Sequence, residues 1–413
     1  MTGSVSFELP SETVVDKTID NKINDIFTNY MAKQSLFKNR DVLSTNFLPN
    51  TIIHRDAEIE TISSILAPIL KGYKPSNLFV YGGIGCGKTV TVRYIIEHLS
   101  KVSNGNYKII YINCKMKKVS DTEYRILSQL LKEFDIIVPE TGISTNILYK
   151  KFFECVEKQK LIIVFDEIDT LVNKIGDEFL YNISRSEQSI SIVGITNNIS
   201  FADKIDPRVK SSLVEEELIF KPYNAQQLKD IITLRASEAF DNGCVDDSVI
   251  NKCAALAAQE HGDARRALEL MRVAAEITER AGETKIKEEH LDIAGERINT
   301  DKISETIKSQ PRHSQMVLES IMSMKKTTTG WQDTRILTGD IYRSYNNLCE
   351  KNSIKPLTQR RVCDLINEYE NLGIINTRTT SRGRHGKIRE VVFNLEDEMM
   401  KKIENILTKV GTY

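Results

Sequence analysis

GGIGCGKT, residues Gly82–Thr89, is the stretch on which the fold turns. It fits G-x-x-x-x-G-K-[ST], the pattern of a loop that cradles phosphates between a strand and a helix. Glycines let backbone N–H groups turn inward onto phosphate oxygens, and the following helix presents its positive end to them. Lys88 has the length to reach β- and γ-phosphates, and Thr89 has the hydroxyl that holds Mg²⁺. A glycine-rich turn alone would mean little, but NLFVYG (Asn77–Gly82) reads as the strand that the motif requires in front of it. The candidate phosphate contacts are therefore Gly82, Gly83, Ile84, Gly85, Cys86, Gly87, Lys88, Thr89 and Val90.

Outward from the loop, short Ile- and Val-rich runs alternate with amphipathic stretches, which predicts a parallel sheet buried on both faces. The runs are Asn77–Gly82, KIIYINC (Lys108–Cys114), LIIVFDE (Leu161–Glu167), SISIVGITN (Ser189–Asn197) and ELIFKPY (Glu217–Tyr223). The third ends in Asp166–Glu167. Two carboxylates after a strand commonly mark only a helix start. Behind a phosphate loop they lie where ligands bind in open α/β sheets, so Asp166 is expected to position Mg²⁺ and Glu167 to act as general base. Asn197, at the end of the next run, is placed to orient water or touch the γ-phosphate.

From Ala225 to about Thr300 the apolar spacing is helical throughout, a small all-helical part behind the sheet. After Ser309–Pro311 a third part begins. PLTQRRVCDLINEYENLG (Pro356–Gly373) predicts a helix capped by Thr358, with Val362, Leu365, Ile366, Tyr369 and Leu372 on its apolar face and Gly373 as its stop. INTRTTSRGRHGKIREVVFNL follows, reading as a hairpin with Arg378, Arg382, Arg384, His385, Lys387 and Arg389 around two glycines. Helix then basic hairpin is the plan of a winged helix on duplex DNA. Gln359, Arg360 and Arg361 are candidates on the helix, and the hairpin residues are candidates for phosphate or minor groove.

The whole-chain numbers set limits. At 413 residues the chain exceeds one ordinary core. Forty per cent hydrophobic and 27% charged residues describe a globular protein, and the net charge of −1 means that any DNA surface is a local patch. No apolar run is long enough for a bilayer, the first residues lack a secretory pattern, and seven scattered cysteines form no C-x-x-C pair. A cytoplasmic, nucleoid-associated location with no membrane partner is expected.

The ordered set YGGIGCGKT, VFDEID, GITN, PRVKSSL and HGDARRALELMR resembles the AAA+ ATPases, and specifically the archaeal origin-recognition (Orc/Cdc-type) replication initiators. LPNTIIHRDAEIETISSIL (Leu48–Leu66), SNLFVYGG and FKPYNAQQL are also similar to that family. The resemblance spans about residues 35 to 395. It implies an α/β AAA+ domain (46–224) behind an N-terminal arm (1–45), a helical lid (225–305) and a C-terminal winged helix (306–413). It implies ATP/ADP and Mg²⁺ as ligands, Asn197 as the first sensor and Arg265 as the second. It places the base pocket around Leu48, Ile53, His54 and Arg55, with Tyr223 nearby, and a DNA-contacting helical insertion near Thr122–Phe134, flanked by Lys115, Lys117, Lys118 and Arg125. One departure stands out: in DPRVKSSL (Asp206–Leu213) Ser212 occupies the arginine-finger position of clamp-loader relatives, leaving Arg208 as nearest candidate.

The expected function is ATP-dependent binding and deformation of double-stranded origin DNA, with slow hydrolysis as a switch and with paralogous initiator subunits and the replicative helicase as partners. A paralogous DNA-binding regulator that loads nothing has the same motifs. A clamp-loader ATPase shares the motif order but would lack the basic hairpin.

Overall fold

The computed structural model describes residues 27–28, 35–102, 107–116, 119–157, 159–213, 215–326, 336–381, 387–393 and 397–410. Most of the N-terminal arm and the basic residues Lys117, Lys118, Arg382, Arg384 and His385 lie outside that description. The chain divides into two compact units, Met1–Leu291 and Asp292–Tyr413.

The first unit is built on five parallel strands: β1 (Leu78–Gly82), β2 (Tyr107–Asn113), β3 (Lys160–Asp166), β4 (Ile190–Thr196) and β5 (Glu216–Phe220), in the order β2-β3-β4-β1-β5. Every residue of β1 and β4 is buried, as is nearly all of β3, which is why these runs carry no alternation. Edge strand β5 instead exposes Glu216 and Glu217, charges that discourage further strand pairing. It stops at Phe220 rather than Tyr223. Pro222 has no N–H for a ladder, and the Lys221 carbonyl is taken by the Arg55 guanidinium at 2.6 Å.

Helices cover both faces. On one lie α1 (Asp56–Leu66) and α2 (Lys88–Val102), packed on Leu78, Val80, Ile162 and Val193. On the other are α3 (Glu123–Lys132), α4 (Thr145–Val156), α5 (Ile168–Ile175), α6 (Glu178–Ser184) and α7 (Pro207–Leu213), around Phe79, Phe152, Phe165 and Phe179. The sheet order sets the carboxyl ends of β3, β4 and β1 side by side, so Asp166, Thr196 and Gly82 share one rim.

Next come α8 (Ala225–Ala239), α9 (Asp247–Gln259) and α10 (Ala264–Ala281). Asn224 and Gln227 form a reciprocal capping box on α8, and Asp263 caps α10. The segment before the sheet is tied to these helices: buried Glu279 on α10 accepts from Ser35 Oγ and the Leu36 N–H and pairs with Arg40. Helix α11 (Glu288–Ser309) carries the chain into the second unit.

That unit holds α12 (Arg312–Lys326), β6 (Ile336–Leu337), α13 (Thr338–Lys351), α14 (Gln359–Asn371), β7 (Ile375–Ser381), β8 (Lys387–Phe393) and α15 (Asp397–Val410). Strands pair β6-β8-β7, with β7 and β8 antiparallel. Thr358 caps α14, accepting from the Arg361 N–H, and Gly373 ends the helix at a φ of 72°. Val362, Leu365, Ile366 and Tyr369 are buried as the spacing predicts, but Leu372, the C-cap just past the last helical residue Asn371, is 41% exposed. Among the described residues no helix is long and apolar enough to cross a membrane.

Candidate nucleotide-binding site

Gly85 and Gly87 give the phosphate loop its shape. Their φ values are 69° and 93°, in the left-handed region, and a Cβ at Gly85 would fall 1.6 Å from an Asp263 carboxylate oxygen. At Gly87 it would come 2.4 Å from the Tyr223 hydroxyl. The loop is thus packed against the cap of α10 on one side and Tyr223 on the other. The Ala264 N–H also donates to the Gly85 carbonyl at 3.2 Å, a direct backbone bond between loop and lid helix.

Lys88 is buried at the start of α2. Its ammonium donates to the carbonyls of Gly82 (3.0 Å) and Gly83 (2.7 Å) and to Asn197 Oδ1 (2.8 Å). Burial pulls the ammonium below its ordinary pKa, and nearby Arg265 adds to the effect. The Thr89 hydroxyl lies 3.2 Å from both oxygens of Asp166, which also accepts from the Tyr111 hydroxyl at 2.6 Å. Burial, then the Asp166 carboxylate, holds the Tyr111 hydroxyl well above its usual range.

Glu167 follows with a φ of 54°, an unusual conformation for a side chain of this size, and stands at the N-terminus of α5 without a side-chain bond to it. Its carboxylate stands 3.5 Å from the exposed Lys115 ammonium. Asp166, Glu167, Lys88, Thr89, Asn197 and Arg265 all line one cleft.

The apolar part of the cleft comes from two sources. Leu48 and Ile53 line it as expected, joined by Phe47, Pro49 and Ile52 from the same segment, and by Ile231, Leu234, Arg235 and Leu268 from the helices behind the sheet. Tyr223 and Val90 line it too; Gly82, Gly83 and Ile84 do not, although two of their carbonyls hold Lys88.

His54 and Arg55 are not cleft walls. His54 bonds Asp230 on α8 at 2.8 Å. Arg55, 4% exposed, reaches behind the loop to the carbonyls of Cys86 (2.7 Å) and Lys221 (2.6 Å), pairs with Glu58 and lies 4.1 Å over the Tyr223 ring. Nη2 serves both carbonyls and Nη1 the Glu58 carboxylate, so the side chain is turned onto the back of the loop and away from the cleft.

Arg208 is 82% exposed, outside the cleft, with its guanidinium forked onto Asp206. Ser212 bonds backbone carbonyls of its own helix and Ser184. Helix α3, expected as part of a DNA-contacting insertion, buries Ile126, Leu127, Leu130 and Leu131 in the core, with Arg125 paired to Asp121 on the outside.

In the second unit Gln359, Arg360 and Arg361 are exposed on the first turn of α14, with Arg361 3.8 Å from Asp364 and Glu368. Arg378 is exposed on β7. Lys387 begins β8, paired opposite Ser381. Arg389 turns inward across the hairpin: it donates to Glu370 at 2.7 Å and to the Thr377 hydroxyl at 2.8 Å. The basic run hid this, because Glu370 belongs to the preceding helix.

The seven cysteines are free, and no His, Cys, Asp and Glu cluster among the described residues suits a protein-held metal. A cleft that uses one hydroxyl and one carboxylate fits an ion held largely by phosphate.

Three family models match the chain: an ATPase domain predominantly from Archaea over residues 52–185, the Cdc6 AAA+ ATPase-type lid domain over 229–296, and the CDC6 C-terminal winged helix domain over 305–403. The ORC1-type DNA replication protein of Pyrococcus furiosus is 44% identical, over 94% of this chain and 93% of that protein. That of Thermococcus onnurineus is 43% identical, over 93% and 94%. Among solved structures, the Aeropyrum pernix ORC1 protein in complex with DNA is 40% identical, covers 91% of this chain and 98% of its own, and superposes with a TM-score of 0.78. Pyrobaculum aerophilum Cdc6p, 19% identical with a TM-score of 0.58, shares the fold. The phosphate loop, the acidic strand end, the lid cap and the winged helix are therefore parts of one inherited plan, and the chain belongs to the archaeal ORC1-type family of AAA+ DNA replication initiators.

Proposed function

We propose that this chain binds duplex origin DNA in a way set by the nucleotide in its cleft, hydrolysing ATP slowly to leave that state. The observation that carries the reading is the bond from Ala264 to Gly85, with Asp263 packed on the same glycine. A phosphate seated on the loop meets the lid at once, so nucleotide state translates into lid position.

The glycine cradle and the Thr89–Asp166 pair fit a magnesium nucleotide. Mg²⁺, held by Thr89 with Asp166 positioning it, neutralises phosphate charge when bound. Lys88 and Arg265 bind the phosphate oxygens. Asn197 steers Lys88 now and the γ-phosphate or its attacking water when ATP is present. Glu167 takes a proton from that water as oxygen attacks the γ-phosphorus and the bond to the β-γ bridging oxygen breaks, giving ADP and phosphate. Arg208, exposed and lightly held, serves a neighbouring subunit's site.

The winged helix supplies the DNA grip, as the Aeropyrum relative solved with DNA suggests. Gln359, Arg360 and Arg361 meet base edges or phosphate from α14, and Arg378, Arg382, Arg384, His385 and Lys387 meet phosphate or minor groove. Arg389 braces the hairpin. Binding through more than one surface bends the duplex, and the replicative helicase and paralogous subunits are the partners this state recruits.

Footprinting on candidate origin duplexes with ATP and ADP, with an Arg382→Ala/Arg384→Ala variant beside the wild type, tests the reading. The variant loses protection and its salt dependence flattens by about one unit of slope per phosphate contact removed. Unchanged affinity and slope would sink the wing's role.

A further inference from the structure

The link between α13 and α14 ends in a residue whose backbone is held from both sides. Leu357 stands immediately before Thr358, the cap of α14. Its N–H donates to the Tyr345 hydroxyl at 3.1 Å, and its carbonyl accepts from the Tyr342 hydroxyl at 3.3 Å. Both tyrosines belong to α13, three residues apart and so on one side of the helix, with ring centres 6.4 Å apart. The Tyr345 hydroxyl is itself fixed, 2.7 Å from His313 Nδ1 on α12. Because its oxygen accepts from Leu357, its proton is donated to His313, whose own proton sits on Nε2.

Packing does not ask for these hydroxyls. Tyr345 is fully buried in an apolar core with Ile341, Leu365 and Ile366, where phenylalanine would fill nearly the same volume. Burying a hydroxyl is unfavourable unless it is bonded, and a fully bonded buried network selects one arrangement of the groups it joins. Burial pushes the Tyr345 hydroxyl up to about 12, so it keeps its proton at neutral pH. What the network joins is the entry of α14 to α12 and α13. Lys355 and Pro356, just ahead, are exposed, and Pro356 has no N–H to offer, so the start of the helix is set at Leu357 and Thr358.

Gln359, Arg360 and Arg361 follow at once, exposed on the first turn of α14. A shift of Leu357 moves all three together. Base edges are read by hydrogen bonds that weaken steeply with distance and angle, whereas long cationic side chains on phosphate tolerate displacement. We propose that Tyr342 and Tyr345 are positioning residues for sequence recognition: they clamp Leu357 so that the first turn of α14 meets base edges in register. The proposal rests on the reading of α14 as a DNA-facing helix. It assigns sequence preference, as distinct from grip, to residues on the neighbouring helix.

The experiment is fluorescence-anisotropy titration of the full chain with two labelled duplexes over a series of salt concentrations. One carries the sequence most strongly protected in footprinting, the other the same bases scrambled. Wild type, Tyr342→Phe/Tyr345→Phe, Tyr342→Phe, Ile321→Val and Gln359→Ala/Arg360→Ala are compared, each with its melting temperature. In Tyr342→Phe/Tyr345→Phe the ratio of the two affinities is expected to fall about tenfold, the discrimination carried by one base contact, while scrambled-duplex binding and the salt slope stay at wild-type values. Tyr342→Phe, which leaves the buried hydroxyl in place, should show a smaller fall in the same direction. Ile321→Val removes a methylene group from the buried face of α12, and it should lower melting and leave the ratio alone.

An unchanged ratio in Tyr342→Phe/Tyr345→Phe overturns the proposal, as does a wild type that binds both duplexes equally. So does an equal loss for both duplexes, or a fall in ratio that Ile321→Val reproduces, since either would make the tyrosines ordinary core residues. Should the double variant fail to fold, an unchanged ratio in Tyr342→Phe alone overturns it. If Gln359→Ala/Arg360→Ala keeps the wild-type ratio and affinities, it is the DNA-facing reading of α14 that fails. A lowered ratio there, beside an unchanged one in the tyrosine variants, leaves that reading standing and removes only the clamp.

Discussion

Replacing Arg55 by lysine probes how the phosphate loop is supported. The guanidinium makes two short bonds to the Cys86 and Lys221 carbonyls, a third to Glu58, and stacks over Tyr223 at 4.1 Å. Each charge-assisted bond contributes about 1.5–3 kcal/mol net, and a desolvated cation–π contact about 1–2 kcal/mol. Lysine keeps the charge, but it has no second nitrogen to hold Glu58 while the first serves the two carbonyls, and no plane to stack on Tyr223. The expected net loss is about 2–3 kcal/mol. In a unit of this size each kcal/mol moves the midpoint by about 2 °C, so melting should fall by about 5 °C. Cys86 belongs to the loop itself, and ADP affinity should fall about tenfold alongside. Differential scanning fluorimetry and ADP titration on Arg55→Lys check both numbers. A variant with wild-type melting and wild-type ADP affinity would refute the idea that Arg55 anchors the loop.

Other consequences are as specific. Glu167→Gln should retain ATP binding and lose at least about a hundredfold in single-turnover hydrolysis, and comparable turnover would remove Glu167 as base. Asp263→Ala removes the cap that accepts from the Arg265 and Arg266 N–H groups, costing about 1 kcal/mol, and should weaken ATP more than ADP because Arg265 stands on the freed turn; equal weakening contradicts this. The Thr377 hydroxyl, with help from Arg389, holds Glu370 below its ordinary pKa. Its stabilising contribution is therefore complete above the ordinary glutamate pKa and is lost as pH falls through the depressed one. Glu370→Gln should flatten that acid dependence in circular-dichroism melts of the chain, and an unchanged profile would contradict the brace.

What the sequence disclosed, and what it hid, follows from the range of the interactions. The loop, the acidic strand end and the cap at Thr358 rest on neighbouring residues, and local spacing records them. The sheet was legible because β1, β3 and β4 are buried on both faces and so consist of unbroken apolar runs. Arg55 was misplaced because its partners are carbonyls 31 and 166 residues away, and a carbonyl leaves no trace in a sequence. Arg389 looked like one more hairpin cation, yet its partner Glu370 lies 19 residues earlier on α14. Phe47 and Arg235 went unnoticed singly, because their meaning lies in a contact between the lead-in segment and the lid.

The central claim is that nucleotide in the first unit sets the grip on DNA, and the most direct test is linkage. The affinity of the full chain for an origin duplex is measured at fixed salt with Mg-ATP, with Mg-ADP and with neither, for wild type and Lys88→Ala. The account predicts that wild-type affinity changes by about fivefold or more between ATP and ADP, that DNA shifts the ATP-to-ADP preference by the same factor, and that Lys88→Ala responds to neither nucleotide. Identical wild-type affinities in all three conditions would contradict it.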